Sequence, residues 1–564
     1  MSDFRVWECQ ICGWVYEEAT GSPDDGIPPG TRWEDIPDDW CCPECGATKD
    51  EFSMVAVLSE TGPAATPGQP APAQVADSAA TTTGTATAAT GSSAGRIWEC
   101  MVCGWVYDET RGAPEEGIPA GTRWEDIPDD WTCPECGVGK EDFDMVLVSA
   151  PAEAAAEAPP QETPVLLDDI DPLVIIGTGL AGYHLAKEFR KLDRTTPVTL
   201  ITGDDGTFYS KPLLSASLAH GKTPAQLATA SAEDMARELN ADILVHTQVT
   251  DLDRAARTLQ LVSHSGGIRA PLRYSRLVIA TGARCAPLPE LAGDGCAHLF
   301  RVNSLDDYRR FRTATANRRR ILLMGAGLIG CEFANDLIQA GYEVDVVDVQ
   351  AWPLASLAPE AAGRDIQRAL EGAGVRFHFG SGIRQLDNDR RGVRAQLDDG
   401  REIHADAVLA ALGLTPNSGL AAAAGLATNR GIVTNRSLQT SDPDIFALGD
   451  CAEVDGHTLF FVTPLTQSAR ALAQTLSGRY RDSDTATPVH YGCLPVAVKT
   501  TLRPTTVCPP PAGSEGEWQV QEHPDGVTAR FHGVDGKLLG FALTGNAIAS
   551  RETLVAECEP LMKS

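Results

Sequence analysis

Leu173-Val174-Ile175-Ile176-Gly177-Thr178-Gly179-Leu180-Ala181-Gly182 is the stretch that decides the fold. Four apolar residues running straight into glycines read as a buried parallel strand ending in a tight turn. A helical pattern continues through Ala186–Arg190, and Val198-Thr199-Leu200-Ile201 then reads as a second strand. The same unit recurs at Ile321–Val349, around Gly325-Ala326-Gly327-Leu328-Ile329-Gly330. One GxGxxG is weak evidence, since any turn can produce it. Two in strand–turn–helix context are strong, and strands alternating with helices on this scale predict doubly wound α/β domains.

The spacing carries chemistry. Gly177, Gly179 and Gly182, and likewise Gly325, Gly327 and Gly330, permit a tight turn and close approach of a pyrophosphate to a helix N-terminus. Asp348 ends the next strand of the second unit, where a carboxylate accepts from a ribose 2′-OH. No arginine follows it to hold a 2′-phosphate, so NADH is expected rather than NADPH. An ordinary solvated strand-end acid is the competing reading. In the first unit the strand runs into Thr202-Gly203-Asp204-Asp205, which displaces the expected acid, and Asp204 is the candidate.

The beginning of the chain is different. Cys9, Cys12, Cys42 and Cys45 form two Cys-x-x-Cys-Gly pairs, and Cys100, Cys103, Cys133 and Cys136 repeat them at an offset of 91 residues. Four thiolates at this spacing make a tetrahedral metal cage, in which each turn presents two sulfurs to one ion. The ligands alone leave zinc and iron open. Residues 1–55 and 96–150 are thus an internal duplication, and both contain Gly-Thr-Arg-Trp-Glu-Asp-Ile-Pro-Asp-Asp-Trp. Residues 56–95, rich in Ala, Thr, Gly and Pro, read as a flexible linker, and 151–168 as a stiffer one.

The formal net charge is −31, of which about −10 lies in residues 1–55 and about −9 in 96–150. Acid concentrated on the metal modules argues against nucleic acid or an anionic membrane as partner, and suits a basic protein surface. Of the sixteen cysteines, eight belong to the cages. The remainder (Cys41, Cys285, Cys296, Cys331, Cys451, Cys493, Cys508 and Cys558) are scattered singly and read as buried free thiols. No apolar run approaches the ~18 residues of a membrane span, and a reducing cytoplasm is the expected compartment.

With six aromatics in each module (Trp7, Trp14, Tyr16, Trp33, Trp40 and Phe52 in the first), the duplicated segment resembles the rubredoxins of bacterial alkane hydroxylase systems. That resemblance implies one iron per module, two in all. Cys41, beside Cys42, departs from the second copy, which has Thr132 there. Ala280-Thr281-Gly282-Ala283 and Ala411-Leu412-Gly413-Leu414-Thr415-Pro416-Asn417 resemble the crossings between FAD and NAD domains of two-dinucleotide-binding flavoproteins. Ile445–Asp450 resembles their second FAD motif, which implies that Asp450 binds the flavin ribityl chain. Tyr209-Ser210-Lys211-Pro212, Gly330–Leu337 and Pro495–Thr500 are similar to bacterial rubredoxin–NAD reductases.

The resemblance implies a catalytic pair, Lys211 with Glu332, in which a buried cation stabilises electron-rich reduced flavin and a carboxylate offsets its desolvation. It further implies cofactor contacts from Pro212, Thr281, Gly282, Gly413 and Asp450. Lys499 is a further candidate for reaching the flavin, against the alternative of a surface lysine. The domains expected are rubredoxin modules at 1–55 and 96–150, an FAD-binding domain from 169–286 and 414–485, an NAD-binding domain at 287–413, and a small α+β domain at 486–564. The expected activity passes electrons from NADH to FAD, to rubredoxin iron, and on to a terminal acceptor, a membrane-bound alkane hydroxylase. Two alternatives stay open: an oxygen- or peroxide-reducing acceptor, and an NADH-dependent reductase whose modules hold zinc and act as acidic docking domains.

Overall fold

Leu173–Ile176 is a strand buried at all four residues, as its apolar run requires. It is the middle strand of a five-stranded parallel sheet in the order 242–244, 198–201, 173–176, 276–279, 445–447. The molecule is known from a computed structural model. It describes residues 171–390, 392–477 and 486–562, together with parts of 6–56 and 96–149. A second five-stranded parallel sheet has the order 299–300, 407–410, 320–324, 343–348, 376–379. Each parallel sheet is accompanied by a three-stranded antiparallel one, 247–273 in the first half and 383–405 in the second. The second half therefore repeats the architecture of the first.

The two halves are joined by a two-stranded ribbon, Ala283–Cys285 against Leu414–Pro416. Thr281 Oγ1 donates to the Asn417 carbonyl at 2.9 Å, and Asn417 Nδ2 donates back to the Thr281 carbonyl at 2.8 Å. These reciprocal bonds close the crossing on itself, so Thr281 is committed to the hinge between halves. Gly282 and Gly413 flank it at φ +63° and +97°, a conformation that side-chain-bearing residues rarely adopt.

The last domain is a five-stranded antiparallel sheet with helix Arg551–Glu557. It packs on helix Glu360–Gly372 of the second half. Arg503 grips Asp365 of that helix through Nε at 2.6 Å and Nη2 at 3.0 Å, and Thr544 Oγ1 adds a bond at 2.5 Å. Burial alone would raise the Asp365 carboxyl. The Arg503 and Thr544 hydrogen bonds outweigh it and hold the group below its ordinary range.

This domain corrects one expectation. Cys493, Cys508 and Cys558 are not scattered singles, because their sulfurs lie within 4.8 Å of one another. Cys508 ends a strand, Cys558 caps the last helix, and Cys493 precedes the first strand.

In the N-terminal part, strands Val6–Glu8 and Val15–Glu17 pair with Trp7 opposite Tyr16. Strands Ile97–Cys100 and Val106–Asp108 repeat this with Trp98 opposite Tyr107, so the duplication extends to strand register. Cys9, Cys12, Cys42, Cys45, Cys103, Cys133 and Cys136, with Cys41 and the linkers, lie outside the described residues, and only the backbone of Cys100 is described. Trp124 stacks on Trp98 at 5.7 Å and meets Trp131 edge-on at 5.5 Å, which supplies the core of the second module. Glu109, unnoticed in the sequence, accepts from Trp98 Nε1 at 2.9 Å, the Trp124 amide at 3.0 Å and Arg96 Nε at 3.1 Å. Burial opposes its charge, yet these bonds pull Glu109 down to about 2.

Candidate cofactor and nucleotide site

Both glycine turns have the same construction. Gly177 is at φ +117°, and a Cβ there would lie 2.3 Å from the Ala280 carbonyl oxygen. Gly325 is at φ +105°, and its Cβ would lie 2.5 Å from that of Ala411. A Cβ on Gly182 would strike Gly177 O at 1.9 Å, and one on Gly330 would strike Gly325 O at 2.0 Å. The middle glycines differ. Around Gly179 and Gly327 nothing lies within 4 Å of the added carbon. The outer glycines thus serve the fold, and the middle ones keep space open above the helix.

Helices Leu180–Leu192 and Leu328–Gln339 begin at Gly179 and Gly327. Neither has a side-chain cap or an acidic residue in its first turn. An uncapped, electropositive helix start behind an open glycine fits an anionic pyrophosphate.

Asp348 ends its strand beside the second turn. Its Oδ2 accepts from the Ala326 amide at 2.5 Å and its Oδ1 from the Gln350 amide at 2.7 Å. The carboxylate is thereby held at the lip of the cradle. Asp204 is placed differently. It is exposed and accepts from Thr202 Oγ1 at 2.5 Å and the Gly206 amide at 3.0 Å, bracing its own turn.

A cavity of about 270 Å³ opens between the halves and the last domain. Gly179, Pro212, Gly282 and four charged side chains line it: Lys211, Asp450, Glu332 and Lys499. Here the sequence expectation needs a second correction. Glu332 does not pair with Lys211. Its Oε2 meets Lys499 Nζ at 2.7 Å and Ser215 Oγ at 2.7 Å, and its Oε1 accepts the Lys499 amide at 3.1 Å. Glu332 is 1% exposed and both its oxygens are taken. The reason is direction: this face of the helix points at the end of strand Val496–Val498, which delivers Lys499. Lys211 lies in the same cavity with Asp450 Oδ2 at 4.0 Å. Burial pushes the Asp450 carboxyl up, and Lys211 opposes this. A half-buried acid with one distant cation fits a polyhydroxylated ligand that donates to it.

Helix Leu328–Gln339 is the junction of the three units, and the sequence did not reveal this. Glu332, Asn335, Asp336 and Gln339 share one face at i, i+3, i+4 and i+7. Asn335 Oδ1 accepts the Leu502 amide at 3.1 Å, and Gln339 Nε2 donates to Thr501 Oγ1 at 2.8 Å. Buried Asp336 accepts the Leu218 and Ala219 amides at 3.0 and 2.8 Å. One helix therefore fixes both the segment carrying Lys211 and the segment carrying Lys499. The polar spacing was visible in the sequence; its partners lie more than a hundred residues away.

Cys331 and Cys451 are buried near the cavity, and each Sγ contacts backbone carbonyls rather than a second sulfur. Burial raises both thiols, Cys451 to about 11. No redox-active thiol pair faces the cavity among the described residues.

Comparison with known proteins finds three families along the chain. Residues 171–475 match the pyridine nucleotide-disulphide oxidoreductase family. Residues 488–558 match the rubredoxin binding C-terminal domain. Residues 6–52 and 97–143 each match rubredoxin. A rubredoxin-NAD(+) reductase of Alcanivorax borkumensis is 45% identical over 69% of this chain and 99% of its own length. A nitric oxide reductase FlRd-NAD(+) reductase of Aeromonas hydrophila is 39% identical over 68% of this chain and 96% of its own. Among solved structures, a ferredoxin reductase from Rhodopseudomonas palustris superposes with a TM-score of 0.60 at 26% identity, over 69% of this chain and 95% of that one.

Proposed function

The chain belongs to the pyridine nucleotide-disulphide oxidoreductase family, and from that premise we propose that it is an NADH-dependent rubredoxin reductase carrying its own two electron carriers. The observation that carries this reading is the sequence of sites on one polypeptide: two rubredoxin modules, two glycine cradles meeting at a charged cavity, and a rubredoxin binding domain. The chemistry supplied when FAD and iron are bound is two-electron uptake from NADH and one-electron release.

The residues do the rest. The first cradle would hold the FAD pyrophosphate at the start of helix Leu180–Leu192, and Asp450 would accept from the ribityl hydroxyls. The second cradle would hold the NADH pyrophosphate, where Asp348 would accept from the adenosine ribose and repel a 2′-phosphate. Lys499, held by Glu332, places positive charge beside the cavity. That charge would stabilise an electron-rich ligand in the cavity without reorganisation. Lys211 does the same from the other wall. The apolar remainder of the lining excludes water and strengthens both effects.

The acceptor we propose is an alkane hydroxylase, on the resemblance of both modules to the rubredoxins of those systems. A second acceptor class, a nitric-oxide-reducing protein, has the support of the Aeromonas hydrophila relative. No helix among the described residues is long and apolar enough to cross a membrane.

Stopped-flow mixing with NADH tests the reading, with flavin and iron absorbance followed separately. Flavin bleaching followed by iron bleaching is expected. Flavin bleaching with unchanged iron absorbance overturns it. Adding a candidate hydroxylase with and without alkane assigns the acceptor, since an alkane-dependent electron flux is expected only for that partner.

A further inference from the structure

Three sulfurs converge in the last domain. Cys493, Cys508 and Cys558 come from a loop, a strand end and the cap of the last helix, and all three Sγ atoms lie within 4.8 Å of one another. The closest pair, Cys493 and Cys508, is 3.3 Å apart. Leu538, Phe541, Leu543 and Leu554 surround them. Cys508 and Cys558 are buried, and Cys493 is half-buried.

From this geometry we propose a thiophilic metal site that takes a zinc-type divalent cation on Cys493, Cys508 and Cys558, with its fourth position open on the Cys493 side. Zinc–sulfur bonds of about 2.3 Å in a tetrahedron place sulfurs about 3.8 Å apart, which falls within the observed cluster. A disulfide would use two of the sulfurs and leave a third polarizable group in the same apolar pocket without a purpose. Three donors from three elements are what a metal requires. Binding replaces up to three thiol protons, which leave to solvent, by one cation, with no change in oxidation state.

The position gives the site a consequence. Cys493 stands two residues before Pro495, and Pro495, Val496, Ala497 and Lys499 line the cavity between the halves. Strand Val496–Val498 pairs with the strand that Cys508 ends. A metal here fastens the terminal helix to the two segments that set the position of Lys499, so it acts as a staple behind the cavity wall.

The test uses the full chain, purified under reduction, exposed to excess zinc(II) and desalted. Zinc and iron per chain are measured for the wild type and for Cys508→Ser and Cys558→Ser, with flavin absorbance as the control for folding. Each variant is expected to lose one zinc equivalent relative to wild type, with iron unchanged. Equal zinc in all three overturns the proposal. The wild type alone gives an independent measure: alkylation of Cys493, read by peptide mass spectrometry, slows on zinc addition and recovers on chelation. Alkylation indifferent to zinc, or a Cys493–Cys508 disulfide in the reduced preparation, overturns it as well.

Discussion

The two nucleotide-binding halves share one backbone solution and differ in what surrounds it. In both, the outer glycines are forced by contact with backbone carbonyls and the middle glycine faces open space. In the second half the acid after the turn is locked onto the Ala326 amide at the cradle's lip. In the first half Asp204 is exposed and braces its own loop, while the acid that reaches the cavity, Asp450, comes from the far end of the chain. The glycine turn is thus a local device that recurs intact, whereas ligand selection is assembled separately in each half.

Breaking the turns gives the largest expected effects. Gly177→Ala forces a Cβ to 2.3 Å from a carbonyl at positive φ, and flavin content per chain is expected to fall to near zero. Gly325→Ala meets the same obstacle, yet is expected to retain flavin while NADH reduction collapses. Equal flavin loss in both variants would erase the division of labour between halves.

Next comes the charged pair on the wall. Glu332→Gln leaves Lys499 next to an uncharged partner, and breaking such a buried pair costs about 3–5 kcal/mol. Chemical denaturation should register that loss, with slower flavin reduction by NADH. Lys211→Met should leave stability nearly unchanged, since its 4.0 Å contact with Asp450 is long, and slow flavin reduction only. A stability loss equal to that of Glu332→Gln would contradict the pairing seen.

Asp348→Asn removes a charged acceptor at the second cradle. The preference for NADH over NADPH, as a ratio of kcat/KM, should fall by about tenfold, equivalent to about 1.4 kcal/mol. Asp204→Asn should leave flavin content and nucleotide preference alike unaltered. A nucleotide effect at Asp204 as large as that at Asp348 would remove the contrast between the halves.

The smallest expected effect concerns the second half's hold on the last domain, and it fades on acidification. Asp365 is depressed when folded, so its contribution is present above its unfolded pKa of about 3.9 and is lost as pH falls through the folded value. Wild type should be more stable than Asp365→Asn at pH 7, and the difference should shrink steadily below about pH 4. Thermal unfolding across pH 3–7 measures this. A gap between the two proteins that widens in acid would reverse the assigned sign.

What could be read in the residues themselves was whatever depends on near neighbours. Apolar runs into glycine gave the two central strands, because burial on both faces needs continuous hydrophobicity and the turn needs residues without a Cβ. The cysteine pairs and their duplication were legible for the same reason: two sulfurs on one turn are a matter of spacing. The place of Asp348 beside its turn was legible because it ends the very next strand. Tertiary structure alone decided which charges meet. Glu332 found Lys499 rather than Lys211 because a helix face at i, i+3, i+4 and i+7 points at one neighbour, and the chain does not state which neighbour folds against it. Cys493, Cys508 and Cys558 looked like isolated thiols for the same reason, since only antiparallel pairing and a returning helix bring residues 15 to 65 positions apart within reach of one ion.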